Sequence, residues 1–115
     1  MSATNPARGE VWMVDFDPTK GHEQARRRPA LVVSVDAFNN SPAGLVIVLP
    51  ITSKAKGIRS HVEVNPQEAG LTRKSFIKCE DIRSVAKERL FRRRGSISQQ
   101  TLAAVEYRLR VLLGL

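Results

Sequence analysis

The residues best suited to chemistry lie between two apolar, strand-like segments near the start of the chain. Residues 11–16 and 29–35 flank a long polar loop that contains Pro18 and Gly21 and has neither a helical nor a strand period. Loops held between rigid strands commonly carry binding and catalytic groups, and long loops in small domains are often functional. This loop holds a histidine, a carboxylate, an amide and three arginines: His22, Glu23, Gln24, Arg26, Arg27 and Arg28.

The residue inventory argues against metal chemistry. One cysteine, Cys79, and two histidines, His22 and His61, do not have zinc-type spacing. Only Glu80 and Asp81 are adjacent acids, whereas a two-metal nuclease needs clustered carboxylates, and no phosphate-binding glycine loop is present. A Cys–His nucleophile pair stays open, although Cys79 lies in an apparent strand where a buried hydrophobe is the commoner role. We expect no metal and no cofactor.

The charge distribution favours a polyanionic partner. The chain has 19 lysines and arginines against 11 acidic residues, for a net charge of +8. Only Arg8 and Lys20 are basic before residue 25, and basic clusters then follow within residues 26–28, 54–59 and 92–94. Such a field attracts nucleic acid, which also releases counterions on binding. An acidic protein partner fits the same pattern.

Metal-free chemistry on a polyanion points to RNA, because RNA carries its own nucleophile, the 2′-hydroxyl. A protein then needs to align that hydroxyl with the adjacent phosphate, move protons and offset the charge of the transition state. Arginine, a hydroxyl, histidine and a carboxylate are sufficient for these tasks. DNA lacks the 2′-hydroxyl and could not be cleaved in this way.

The elements that must position these groups are short strands and one helix. Apolar patterns predict strands at residues 11–16, 29–35, 45–51, 61–64, 75–78, 82–85 and 90–97. An amphipathic helix follows, with Ser98 as its N-cap and apolar residues at three- and four-residue steps: Leu102, Val105, Leu109, Leu112 and Leu113. This order predicts a small, strongly bent antiparallel sheet or barrel.

Chain length and composition indicate one domain over residues 1–115, with residues 1–8 as a loose tail. The longest apolar run, residues 43–51, is about half of the ~18 residues that a membrane helix needs. The N-terminus lacks the apolar stretch of a signal peptide, and a lone cysteine cannot form an internal disulfide. We therefore expect a cytoplasmic protein without a membrane association.

The order of these residues resembles a known family. The chain is similar to the MazF/PemK (Kid) toxins of bacterial toxin–antitoxin pairs in RGEVW (8–12), VDFDP (14–18), GHEQ (21–24), RPALVV (28–33), LPITSK (49–54) and CEDIRS (79–84). The resemblance runs from about residue 8 to the end of the chain. G-x-E-Q, R-P and P-x-T-S in that order are specific together, although none of them would be alone.

The resemblance implies a small SH3-like, twisted antiparallel β-barrel of the MazF/PemK/CcdB type, mainly β with a C-terminal helix, that forms a homodimer. It implies a metal-independent, sequence-specific endoribonuclease (an mRNA interferase) for single-stranded RNA. Attack by the 2′-hydroxyl would leave a 2′,3′-cyclic phosphate and a 5′-hydroxyl. A MazE-like antitoxin would neutralise it by laying an acidic tail along the RNA groove. The alternative is a non-enzymatic module of the same fold, either a gyrase poison or an inactive RNA binder.

The resemblance also assigns roles to individual residues. Arg28 matches the catalytic arginine of the family and Thr52 its catalytic threonine. A guanidinium is a poor proton shuttle, so we expect Arg28 to stabilise transition-state charge through bidentate phosphate contact. Thr52 would hydrogen-bond the scissile phosphate.

A second set of residues is implied by the Kid branch, which shares the histidine found here as His22. That branch is assigned an arginine and an aspartate where this chain has Lys78 and Glu80. Whether Arg28 and Thr52 or these three residues carry the proton transfers therefore stays open. His61 and residues 92–94 receive no role. The expected RNA contacts are Glu23, Gln24, Arg26, Arg27, Ser53, Lys54, Lys56 and Asp81.

Overall fold

The computed structural model describes residues 5–16 and 27–115 and contains seven strands in that part of the chain. The strands are β1 (Glu10–Asp15), β2 (Arg27–Val32), β3 (Leu45–Thr52), β4 (His61–Val64), β5 (Ser75–Lys78), β6 (Arg83–Ala86) and β7 (Leu90–Ser96). The helices are α1 (Asp36–Asn39) and α2 (Gln99–Leu113), and 3-10 turns cover Glu68–Gly70, Cys79–Asp81 and Lys87–Arg89. The prediction of a mainly β fold with a C-terminal helix is confirmed.

The strands form one antiparallel sheet in the order β4-β5-β3-β2-β1-β7. Strand β3 is long enough to pair with β6 through its first half and with β5 at its end. Among the described residues the edge strands β4 and β7 do not pair with each other, so the sheet is open. The predicted barrel is therefore not closed by hydrogen bonds.

The two faces of the sheet carry separate apolar clusters, because cross-strand partners point to the same side. Leu31 pairs with Val11 and Leu49, and these three belong to the cluster that packs against α2. The neighbouring Ala30 pairs with Trp12 and belongs to the opposite cluster. The first cluster is called here the helix face and the second the open face. The open face also buries Val14, Val32, Val46, Val48, Val85 and Leu90.

Strand β2 begins earlier than its apolar pattern predicts. Arg28 pairs with Val14 and Arg27 pairs with Asp15, so both arginines lie on the strand and not in the loop before it. The predicted boundary at residue 29 was wrong because β1 supplies backbone partners that a local pattern cannot reveal. Strand pairing fixes the direction of both arginine side chains relative to the sheet.

Helix α2 begins and ends at residues suited to those positions. The hydroxyl of Ser98 accepts a hydrogen bond from the Thr101 N–H at 3.1 Å, which confirms the predicted N-cap. Gly114 adopts a left-handed conformation and its N–H donates to the Arg110 carbonyl at 2.9 Å. Val105 is buried against the helix face, whereas Leu112 is exposed.

A close backbone approach joins β7 to the turn before β5. Ala69 and Gly70 both have positive φ, at 62° and 67°. A Cβ added to Gly70 would lie 2.2 Å from the carbonyl oxygen of Arg94, and one added to Gly95 would lie 2.9 Å from the carbonyl carbon of Ala69. Residue 70 requires glycine because the Arg94 carbonyl leaves no space for a Cβ, and the left-handed conformation adds a further cost for any side chain.

No helix among residues 5–16 and 27–115 is long and apolar enough to cross a membrane.

Candidate active site

Strand pairing brings the two residues matched to a catalytic role side by side. Ala30 of β2 pairs with Pro50 of β3, and continuing that register by two residues puts Arg28 opposite Thr52. Both line one cavity of about 300 Å³. The Thr52 hydroxyl accepts a hydrogen bond from the Lys54 N–H at 3.2 Å, so its own proton is available for a ligand.

Strands β4 and β5 add a second group of side chains to this cavity. His61 pairs with Lys78, and Phe76 of β5 pairs with Thr52, so alternation places all of them on the face that carries Arg28. We call the cavity the central cavity. It is lined by Arg28, Thr52, Lys54, Lys56, Ile58, His61, Lys78 and Glu80. The four cations among these residues make it strongly basic.

A histidine–carboxylate pair forms one wall of the central cavity. His61 Nε2 lies 3.0 Å from Glu80 Oε2, and the Ser60 hydroxyl donates to Glu80 Oε1 at 2.5 Å. The His61 side chain is 4% exposed, whereas that of Glu80 is 36% exposed. The pair therefore joins a buried imidazole to a carboxylate that reaches solvent.

The surroundings of Glu80 keep it ionised. Burial acts to raise the pKa of Glu80, but hydrogen bonds from Ser60, from its own backbone N–H and from His61 outweigh burial and lower the pKa below its usual value. At neutral pH Glu80 is thus a carboxylate able to accept a proton. The Nδ1 atom of His61 is buried without a hydrogen-bond partner among the residues described.

Asp81 faces two cations beside the central cavity. Its carboxylate lies 3.5 Å from Lys78 Nζ, and Arg83 donates to it at 2.7 Å. The Arg83 guanidinium in turn lies 4.9 Å from the centre of the Phe16 ring. Asp81 therefore orients Lys78 and Arg83, which leaves less of its carboxylate for an RNA contact.

A second cavity, of about 290 Å³, adjoins the first and shares Arg28, Thr52 and Lys54 with it. We call it the adjoining cavity. Ser53 and Arg27 line this cavity and not the central one. Its other lining residues are Pro29, Ile51, Leu71, Thr72, Arg73, Ser75 and Arg94.

Cys79 takes no part in either cavity. Its side chain is fully buried in the cluster of the helix face. Burial raises the pKa of the Cys79 thiol to about 11, so the thiolate is scarce at neutral pH. The Cys–His nucleophile left open by the sequence is therefore rejected. No group of three or more His, Cys, Asp or Glu side chains in residues 5–16 and 27–115 could hold a metal ion.

His61 belongs to the site although the sequence predicts no role for it. Several other predicted site residues lie outside the part of the chain that the structure describes. His22, Glu23, Gln24 and Arg26 all lie in that part of the chain. The signal for His61 was present in the alternation of residues 61–64, which puts His61 and Glu63 on the face opposite Val62 and Val64. What the sequence could not show was that β4 lies beside β5 and hence beside Glu80.

Fold and cavity together define a small, open β-sheet protein with a basic, hydroxyl-bearing site where adjacent strands end. The sequence model of one protein family, the PemK-like, MazF-like toxins of type II toxin–antitoxin systems, matches residues 7–113. The chain belongs to this family.

Individual relatives cover almost the whole chain. It is 39% identical over 113 residues to Endoribonuclease MazF9 of Mycobacterium tuberculosis, spanning 94% of this chain and 96% of the relative. It is 34% identical to Endoribonuclease toxin MazF of Escherichia coli K12, spanning 95% of each. The crystal structure of MazF from Deinococcus radiodurans has a TM-score of 0.81 at 33% identity and covers 98% of this chain and 100% of that one. A MazE–MazF structure from the same organism has a TM-score of 0.83 at 29% identity, covering 97% and 99%.

Proposed function

We propose that this protein is a toxin that cleaves single-stranded RNA at specific sequences without a metal ion. The 2′-hydroxyl attacks the adjacent phosphate and leaves a 2′,3′-cyclic phosphate and a 5′-hydroxyl. The observation that carries the proposal is the central cavity, where Arg28 and Thr52 face the His61–Glu80 pair across the strand ends. The names of the relatives, which are endoribonucleases, support the same activity.

The cations of the central cavity stabilise the negative charge that develops on the phosphate in the transition state. The Arg28 guanidinium can contact two phosphate oxygens at once, and its charge persists at any working pH. Lys54, Lys56 and Lys78 line the same space and raise its positive potential. The Thr52 hydroxyl accepts from the backbone N–H of Lys54, which orients it, and its own proton is donated to a phosphate oxygen.

Proton removal from the 2′-hydroxyl falls to Glu80. Its carboxylate is ionised, is partly exposed to the cavity and is held by Ser60 and His61. The lowered pKa keeps Glu80 ionised but makes it a weaker base, so position within the cavity is its main contribution to proton transfer. Lys78 is our candidate for protonating the leaving 5′-oxygen, and His22 is the alternative. The variants Lys78→Ala and His22→Ala separate them, since only loss of the acid is rescued by a substrate with a better leaving group.

The basic cavities and the exposed residues of α2 also indicate protein partners. We infer that an acidic segment of a MazE-like antitoxin competes with RNA for the two basic cavities. Solved MazE–MazF structures from Deinococcus radiodurans support an antitoxin as the partner. We also infer a homodimer, because α2 exposes Tyr107, Val111 and Leu113, whose burial would favour association. The cytoplasm, where mRNA is translated, is the proposed site of action.

The test is incubation with a long single-stranded RNA in excess EDTA, followed by sequencing of the new 5′ ends. We expect cleavage at a defined sequence, and we expect Arg28→Ala to abolish cleavage while retaining RNA binding. Binding without cleavage in the wild-type protein at every concentration would instead indicate an inactive RNA binder. Absence of both, together with inhibition of DNA gyrase, would indicate a poison of the same fold.

A further inference from the structure

A third cavity, of about 490 Å³, lies where β1 ends and β2 begins, beside the start of β7. It is lined by Asp15, Arg27, Glu88, Arg89 and Phe91, and we call it the aromatic cavity. Phe91 is 51% exposed, whereas the other three phenylalanines in the described part of the chain, Phe16, Phe38 and Phe76, are partly buried. None of the roles assigned so far uses this ring.

The Phe91 ring already takes part in a contact with a planar group. The Arg27 guanidinium lies 5.5 Å from its centre, within the range of a cation–π contact. Arg27 is also held near Asp15, with 3.9 Å between Nε and Oδ2. Arg89 donates to the Asp15 carbonyl at 3.4 Å and frames the same space. Phe91 is therefore held beside polar groups, with Arg27 over one face of its ring, while about half of the residue stays exposed.

The charges of the aromatic cavity do not suit a phosphate. Two arginines, Arg27 and Arg89, are balanced by two carboxylates, Asp15 and Glu88, whereas the adjoining cavity holds several cations and no acid. An acidic peptide would meet the same carboxylates. A nucleobase fits better, because it is uncharged, stacks on aromatic rings and offers N–H groups that carboxylates accept.

The three cavities are neighbours around the start of β2. The central and adjoining cavities share Arg28, Thr52 and Lys54, and Arg27 lines both the adjoining and the aromatic cavities. An RNA chain leaving Arg28 and Thr52 can therefore place a phosphate in the basic adjoining cavity and its next bases near Phe91.

We propose that the aromatic cavity binds a nucleobase of the RNA away from the scissile phosphate, stacked on Phe91 and bounded at its edge by Glu88. This subsite rests on the proposed function, because it serves the same RNA. It would contribute to sequence specificity, since Glu88 selects bases with an N–H donor at the reachable edge.

The experiment combines ring variants with base removal. A short single-stranded RNA cleaved once is synthesised with an abasic nucleotide at each flanking position in turn, and KM and kcat are measured separately. We compare wild type with Phe91→Ala, Phe91→Leu and Phe91→Tyr. Val35→Ala is the matched control, because Val35 is also an exposed apolar residue but lines none of the three cavities.

One abasic position should raise the KM of the wild-type protein by about 5- to 150-fold, the range expected for one base–aromatic stack. Phe91→Ala and Phe91→Leu should raise KM on intact RNA by a similar factor and show no further loss with that abasic RNA. Phe91→Tyr should behave as wild type, because the ring remains. The Val35→Ala control should leave both constants unchanged.

The inference is overturned if Phe91→Ala cleaves intact RNA with the wild-type KM. It is overturned equally if the increase in KM caused by Phe91→Ala and the increase caused by the abasic nucleotide multiply when the two are combined. It is also overturned if Phe91→Ala weakens antitoxin binding alone, since the cavity would then belong to that partner. If wild type does not cleave, the proposed function fails by itself. The subsite is then tested by equilibrium binding: Phe91→Ala and the abasic nucleotide should each raise the Kd for RNA, and the two together should raise it no further. Absence of RNA binding overturns the subsite as well.

Discussion

Replacing Glu80 with glutamine tests the assignment of the proton acceptor. The substitution keeps side-chain volume and an oxygen that Ser60 can still donate to, but it removes the carboxylate that accepts a proton. General bases contribute about 10²–10⁴-fold to rate, so we expect kcat to fall by roughly 100-fold or more. Loss of one negative charge from a cavity with four cations should leave KM the same or slightly lower.

The pH dependence of kcat gives the same test a second readout. Because the pKa of Glu80 is lowered, the carboxylate persists until the pH falls below its usual value of 4.5. Wild-type kcat should therefore lose its base only in that acidic range, and Glu80→Gln should lose this limb of the profile. Any stability that Glu80 contributes follows the same sign: it is present above the unfolded pKa and disappears as pH falls through the folded one.

The assay is single-turnover cleavage of a fluorogenic RNA oligonucleotide at saturating protein, which isolates the chemical step. Glu63→Gln is the matched control, since Glu63 is an exposed carboxylate on the same strand as His61 and lines none of the described cavities. A Glu80→Gln protein that is folded and cleaves at the wild-type rate would refute the assignment. Equal losses in both variants would indicate a general electrostatic effect.

Three further outcomes follow from the described geometry. Arg28→Lys keeps a charge but loses bidentate phosphate contact, so single-turnover cleavage should slow by about 100-fold or more; a wild-type rate would show that charge alone suffices. Gly70→Ala should lower the free energy of unfolding in urea by about 3 kcal/mol or more, because a Cβ meets the Arg94 carbonyl. Gly57→Ala, which has similar φ and open space, should cost only about 1 kcal/mol. Cys79, with its pKa near 11, should resist thiol reagents at pH 8 until the protein unfolds.

Local patterns predicted the elements of this fold well. Hydrophobic alternation marks strands such as His61–Val64 and Ser75–Lys78 at their observed bounds, and Ser98 marks the start of α2. These signals are local, because side-chain direction and capping depend on residues a few positions apart. The same patterns predict a loop for Arg27 and Arg28, whereas both belong to β2, because their strand pairing depends on the distant β1.

The candidate site was only partly accessible to such reasoning. The family resemblance indicated Arg28 and Thr52, and strand register places them opposite each other. The His61–Glu80 contact joins residues 19 positions apart through the pairing of β4 with β5, which no periodicity encodes. The Arg27–Phe91 contact has the same origin, because it links β2 to β7 across the end of β1.

The alternation of side chains along β3 limits where this chain can tolerate insertions and deletions. Val48, Pro50 and Thr52 face the open side, while Leu49 and Ile51 face α2. Deleting one residue near Leu45 would leave a strand of similar composition, yet the residues after the deletion would change face relative to those before it. Thr52 would then turn toward the helix face and Ile51 toward the central cavity. Substitutions on either side of this strand can accumulate independently, whereas insertions and deletions are confined to the connections between strands.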